Sequence, residues 1–229
     1  FPLFSLHYFV NSTAIWIGLG IISLLCEVAF VLNSKKFLNA KMRNFDPVAL
    51  AATFYFCVFV LSFSYSTFII GENIFGDYKN LFDSGFGVFV VLNCLLYTFA
   101  PYLYWNALKQ ISAADTSIIY SFLGVHTLWL GLLFFGKTIG IYAAIGIVIL
   151  FASQILVNWK GKGMKFGKYQ IFMILATLAY AAAFLTDSVI LNSNQIAVTG
   201  HMTGRFLFPT LVLFLFWPWR IKNAKEILS

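Results

Sequence analysis

Glu27 is the residue in this sequence with the clearest capacity for chemistry. It sits in Leu24-Leu25-Cys26-Glu27-Val28-Ala29, in the middle of a long apolar run. An ionisable side chain at the centre of a bilayer costs roughly 3 kcal/mol on insertion scales, so it is turned inward and is paired, hydrated or protonated. Such a group can bind and release a proton and exchange it for a cationic or polar substrate. The plainer role is one structural hydrogen bond to a neighbouring helix. Asp187 lies towards the end of another apolar run, where it either serves a site or reaches the interface. A third run carries Asn93, Tyr97, Tyr102, Tyr104, Trp105 and Asn106 around Pro101. That polar-aromatic character suits a cavity between helices, with the proline as a kink. Tyr120 and His126 extend the candidate lining from a fourth run, and Asn33 from the first. For His126 a core role with one hydrogen bond is the simpler expectation. Arg205 opens the last run and can snorkel to the interface.

Several chemistries find no support. His7 and His201 fall outside the expected spans, and the three histidines lack metal-ligand spacing. There is no P-loop, nucleophile motif or metal box, so neither a metal nor another cofactor is expected.

The elements that hold these residues follow from composition. Of 229 residues, 61% are hydrophobic and 10% charged, with net charge +7 and mean hydropathy +0.87. Soluble domains are about half apolar and a quarter charged. A soluble enzyme, a disordered chain and a nucleic-acid-binding domain are excluded. In lipid only helices and closed barrels satisfy the backbone. The apolar runs are about 20 residues long and apolar all round, as spanning helices require and barrel strands do not. The expectation is an all-α polytopic membrane protein with seven spans at 13–33, 47–70, 85–108, 113–135, 138–158, 169–191 and 203–219. Residues 1–12 read as an interfacial lead-in and 159–168 as a basic connector. The first residue is Phe, which reads as a processed or clipped start. Asp115 is expected to cap the fourth span. Gly124, Gly131, Gly140 and Gly146 are expected to let helices approach closely.

Twelve of the 15 Lys and Arg lie in the odd-numbered connections and the tail. The positive-inside bias places the Lys-rich loops 34–46 and 159–168 in the cytoplasm and the N-terminus outside. Cys26, Cys57 and Cys94 all fall within spans and imply no disulfide framework.

Shifting the chain by 154 residues lays residues 169–188 over 15–34. Ile17/Ile171, Leu24/Leu178, Ala29/Ala183, Phe30/Phe184 and Ser34/Ser188 are identical, and Asn33 meets Asp187. A five-span unit has an odd number of crossings, so its second copy runs the opposite way. Inverted repeats of this kind mark secondary transporters. Residues 13–158 then form one complete five-helix repeat, and 169–229 the first two helices of a second. Counterparts of residues 85–158 would take another 74 residues, so the sequence reads as a truncated pair.

The run Ala107-Leu-Lys-Gln-Ile-Ser112-Ala-Ala-Asp115, then Ser121-Phe-Leu-Gly124-Val-His126-Thr, then Leu133-Phe-Phe-Gly136-Lys137 and the Gly146 helix resembles the EamA-type repeat of the drug/metabolite transporter superfamily. Asp46-Pro47 and Arg205-Phe206-Leu207 fit the same pattern. Gly124 stands where that repeat has Pro, Lys137 where it has Glu, and Thr53 where the second span often has Arg. Cys26-Glu27-Val28 is also similar to the first helix of small multidrug resistance proteins. That likeness implies a proton- or substrate-binding role for Glu27. The family implies a non-enzymatic permease in a prokaryotic plasma membrane, moving small metabolites or drug-like compounds with a proton as coupling ion. Its partners would be a small-molecule substrate, the lipid bilayer and, as an option, a second copy of the chain in a homodimer, with no nucleic acid. A seven-helix receptor or another non-transport membrane protein is the alternative. A retinal protein would need a Lys inside the last span, which has none.

Overall fold

The long helices described below follow apolar runs of sequence that cannot leave their backbone unpaired in lipid. The computed structural model describes residues 46–136, 140–158 and 167–216, together with Ile22, Leu25 and Ala29. Glu27 and Asn33 lie outside the described residues. The chain divides into two units, Phe1–Met42 and Arg43–Ser229, and the helices below belong to the second.

Among the described residues there are seven α-helices and no strand. They are α1 (Pro47–Ser64), α2 (Ile74–Asp83), α3 (Gly87–Gln110), α4 (Ala113–Phe135), α5 (Ile141–Asn158), α6 (Lys168–Asn192) and α7 (Val198–Phe216). The end of α1 runs on as a π-helical stretch, Tyr65–Ile70. Five segments are long and apolar enough to cross a membrane: Ala51–Ile70, Gly87–Gln110, Ile118–Phe135, Lys168–Asn192 and Val198–Leu215. Their outer faces carry Leu61, Phe68, Phe134 and Leu215, each more than two-thirds exposed, as lipid-facing surfaces do.

Local chemistry sets the helix ends. The Asp46 carboxylate accepts from the Val48 N–H at 2.8 Å, and Pro47 occupies the first turn, where no N–H is needed. The cap of α4 is Ser112, not Asp115. Ser112 arrives in extended backbone and its Oγ accepts from the Asp115 N–H at 3.0 Å. It also donates to the Asp115 carboxylate at 2.7 Å. Asp115, the third residue of the helix, therefore meets the cap through both its N–H and its carboxylate. Gly136 ends α4 at φ 59°, a left-handed conformation that suits glycine.

Two further expectations are corrected. The stretch at 71–84, left between the expected spans 47–70 and 85–108, holds a helix of its own, α2. Ile74, Tyr78 and Leu81 recur on one face and are buried, while Lys79 and Asn80 face outward. A ten-residue amphipathic helix has no 20-residue apolar run to announce it. The close-approach glycines are also different ones. A Cβ on Gly124, Gly131, Gly140 or Gly146 would meet nothing within 4 Å among the described residues. At Gly204 a Cβ would collide with the Tyr78 ring, and at Gly200 it would sit 3.3 Å from Glu72 Oε2. These two glycines, one turn apart on α7, admit α2 and the turn before it.

α6 packs along α3 and α4, and α7 packs along α1 and α3. Small side chains make this possible: Ala100 and Ala107 on α3, and Ala176, Ala181 and Ala183 on α6, are fully buried. Val48, Ala51, Ala52 and Tyr55 of α1 close on Leu213 of α7. Pro101 lies inside α3 and cannot donate to the carbonyl one turn earlier, that of Tyr97. The Tyr55 hydroxyl of α1 donates to that carbonyl at 2.9 Å. One side chain thus makes good the bond that the proline removes and ties α1 to α3.

Candidate functional site

Four helices bring their polar residues to one point. α3 presents Asn93 and Tyr97, which are four residues apart and so lie on one face. α7 presents His201 and Arg205 at the same spacing. α6 supplies Asp187, and α2 supplies Tyr78. Asn93, Tyr97 and His201 are almost wholly buried, and Asp187 is 7% exposed.

Asp187 is the centre. Its Oδ1 accepts from Asn93 Nδ2 at 2.7 Å and pairs with His201 Nε2 at 2.8 Å. Its Oδ2 accepts from the Tyr97 hydroxyl at 2.7 Å and from Arg205 Nη1 at 3.1 Å. Four groups therefore saturate the two oxygens. An unpaired carboxylate could not be held here; one with an ion pair and hydrogen bonds can. Asn93 Nδ2 also reaches the Thr186 hydroxyl at 2.7 Å and the Ala183 carbonyl at 3.2 Å. Behind His201, the Tyr78 hydroxyl lies 3.3 Å from Nδ1 and 3.2 Å from the His201 carbonyl oxygen. The Arg205 guanidinium stands over the Tyr97 ring at 4.0 Å, with Phe184 at 5.4 Å and Phe206 at 5.8 Å. Its Nε is buried and has no hydrogen-bond partner.

An aromatic wall leads away from this point. Tyr97 meets Tyr180 at 6.2 Å between ring centroids, Tyr180 meets Tyr120 at 6.3 Å, and Tyr120 meets Tyr104 at 5.5 Å. Trp105 follows at 5.6 Å from Tyr104. Rings and hydroxyls together offer an apolar body with polar points, the usual make-up of a small-molecule site. At the start of α7 the Thr199 hydroxyl donates to Glu72 Oε1. Asp77 lies beside it, and burial together with the Glu72 charge raises its carboxyl above the ordinary value.

A bundle of apolar helices around a buried ion pair fits a membrane transporter. The sequence profile of the EamA-like transporter family matches residues 12–159, nearly two-thirds of the chain. The chain belongs to the EamA-like transporter family. No curated protein and no solved structure matches it. In this EamA-like protein the polar centre straddles the matched region. Asn93 and Tyr97 lie inside it, whereas Asp187, His201 and Arg205 lie beyond it.

The structure thus joins Asn93, Tyr97 and Asp187 directly and places Tyr120 and Trp105 along the wall. His126 is not joined to them. Its ring stacks on Phe122 at 6.3 Å and its buried Nδ1 has no hydrogen-bond partner. Two expectations are overturned here. His201 lies inside α7 and within the candidate span Val198–Leu215, not outside the spans. Arg205 does not snorkel: its side chain is 16% exposed and bonded to Asp187. Tyr55 and Tyr78 carried no signal of their own. The equal spacing of His201 and Arg205 on α7, matching Asn93 and Tyr97 on α3, was the available clue. Among the described residues no three His, Cys, Asp or Glu side chains gather as a metal site requires.

Proposed function

We propose that the chain is a secondary transporter, an EamA-like permease that moves small metabolites or drug-like compounds. Its substrate site is the interior between α3, α6 and α7, with Asp187, Asn93 and Tyr97 at its polar end and Tyr120 and Trp105 along its aromatic side. The observation that carries this reading is the charged cluster held inside apolar helices, since intramembrane charge is expensive and marks substrate or ion pathways. A proton is the coupling ion, and Glu27 in the first span is its carrier. The support for Glu27 is its mid-span position and its likeness to the glutamate of small multidrug resistance proteins. Residues 169–229 are the opening helices of a second, inverted copy of residues 13–158, and the Lys-rich loops face the cytoplasm of a prokaryotic cell.

The test is uptake of a labelled panel of small polar metabolites and aromatic amines into liposomes under an imposed pH gradient. Gradient-driven uptake by the wild type, lost in Glu27→Gln, is the expected result. Uptake that Glu27→Gln leaves equally responsive to the gradient overturns the role given to Glu27.

A further inference from the structure

We propose that Arg205 is the anchor for a small organic anion, so that this site takes a monocarboxylate or a similar monoanion with an apolar or aromatic body. The inference rests on reading the chain as a transporter with its substrate site at Asp187.

A donor and acceptor balance at the centre carries it. A carboxylate offers about four lone-pair positions, and a guanidinium about five N–H groups. Asp187 has its four positions taken, by Asn93, His201, Tyr97 and Arg205. It has nothing left to offer a cationic ligand. Arg205 is in the opposite condition. Its hydrogen bonds, to Asp187 Oδ2 and to the Met202 sulfur, both leave from Nη1. Nε is buried without a partner. A buried N–H without an acceptor is costly, and a ligand oxygen would relieve that cost. At the Asp187–Arg205 pair the free capacity is therefore a donor's and not an acceptor's. The rings of Tyr97, Phe184 and Phe206 flank the same guanidinium and suit the body of an aromatic or branched acid.

Three probes share one body and differ in charge: benzoate, benzamide and benzylamine. Their binding to the purified full chain in detergent is read by calorimetric titration and by thermal shift. The expected result is saturable benzoate binding about tenfold or more tighter than that of benzamide, with no saturable benzylamine binding. Arg205→Gln abolishes it. Because that variant strands Asp187, the charge-balanced pair Asp187→Asn with Arg205→Gln is measured alongside it, and must lose benzoate binding too. Benzylamine binding tighter than benzoate, no saturable response to any probe, or benzoate binding retained in the double variant overturns the proposal. Gradient-driven uptake confined to amines would overturn the anion site and leave proton-coupled transport standing. Benzoate binding without gradient-driven uptake would do the reverse.

Discussion

His201 and His126 are both set in long apolar helices, and their surroundings treat them in opposite ways. His201 has a carboxylate on one ring nitrogen and a tyrosine hydroxyl near the other. His126 stacks on Phe122 and leaves a buried Nδ1 without a hydrogen-bond partner. The helices differ accordingly. α7 repeats a polar residue one turn on, at Arg205, and faces α6 and α2, which supply partners. At His126, among the described residues, the neighbouring Phe122 ring stacks on the imidazole and no side chain answers Nδ1. A polar side chain in an apolar helix becomes a site only where a second element answers it. The comparison also ranks what substitutions will do.

The largest effect is expected from Asp187→Ala. It leaves Arg205 buried without its counter-charge and is expected to cost about 3–5 kcal/mol, read as the steepest fall in thermal stability in detergent. A near-normal melting temperature would mean that the cluster does not hold α6 to α7. Gly204→Ala comes next, because the new methyl collides with the Tyr78 ring. A loss of about 1–3 kcal/mol is expected. Recovery in Gly204→Ala with Tyr78→Ala would confirm the collision as its cause. Tyr55→Phe leaves the Tyr97 carbonyl without the hydroxyl that replaces its missing helical donor, at about 1–3 kcal/mol. Pro101→Ala restores an N–H to that carbonyl, so adding it to Tyr55→Phe is expected to shrink the loss, a coupling that a double-mutant cycle measures. The smallest effect belongs to His126→Leu, expected to be neutral or stabilising by up to about 1 kcal/mol, since it removes an unanswered polar atom. A large loss there would erase the contrast between the two histidines.

Much of the architecture could be read from the sequence because lipid imposes a simple rule on long apolar runs. The runs at 47–70, 85–108, 113–135 and 169–191 appear as helices close to those limits. The last helix starts at Val198, five residues before the expected 203. Thr199, Gly200, His201, Thr203 and Gly204 lower the hydropathy of its first turns, yet these are the turns that meet α2 and Asp187. α2 itself escaped because its stability comes from one buried face and not from overall apolarity. At the site, Asn93, Tyr97 and Asp187 could be picked out one by one as polar residues in apolar surroundings. Their mutual contact could not, since helices 90 residues apart in sequence show no sign of which faces meet. Arg205 is ambiguous in sequence for the same reason: snorkelling and ion pairing look identical until a partner is placed.

Tyr97 carries a further consequence. Its hydroxyl is committed to Asp187 on α6, and its carbonyl is committed to Tyr55 on α1. One residue is therefore held at both ends by helices that otherwise need not move together. Sliding α1 against α6 by more than a hydrogen bond tolerates must break one bond or the other. Once Asp187 lets go of Tyr97, α1 and α3 are free to shift together against α6 with the Tyr55 bond intact.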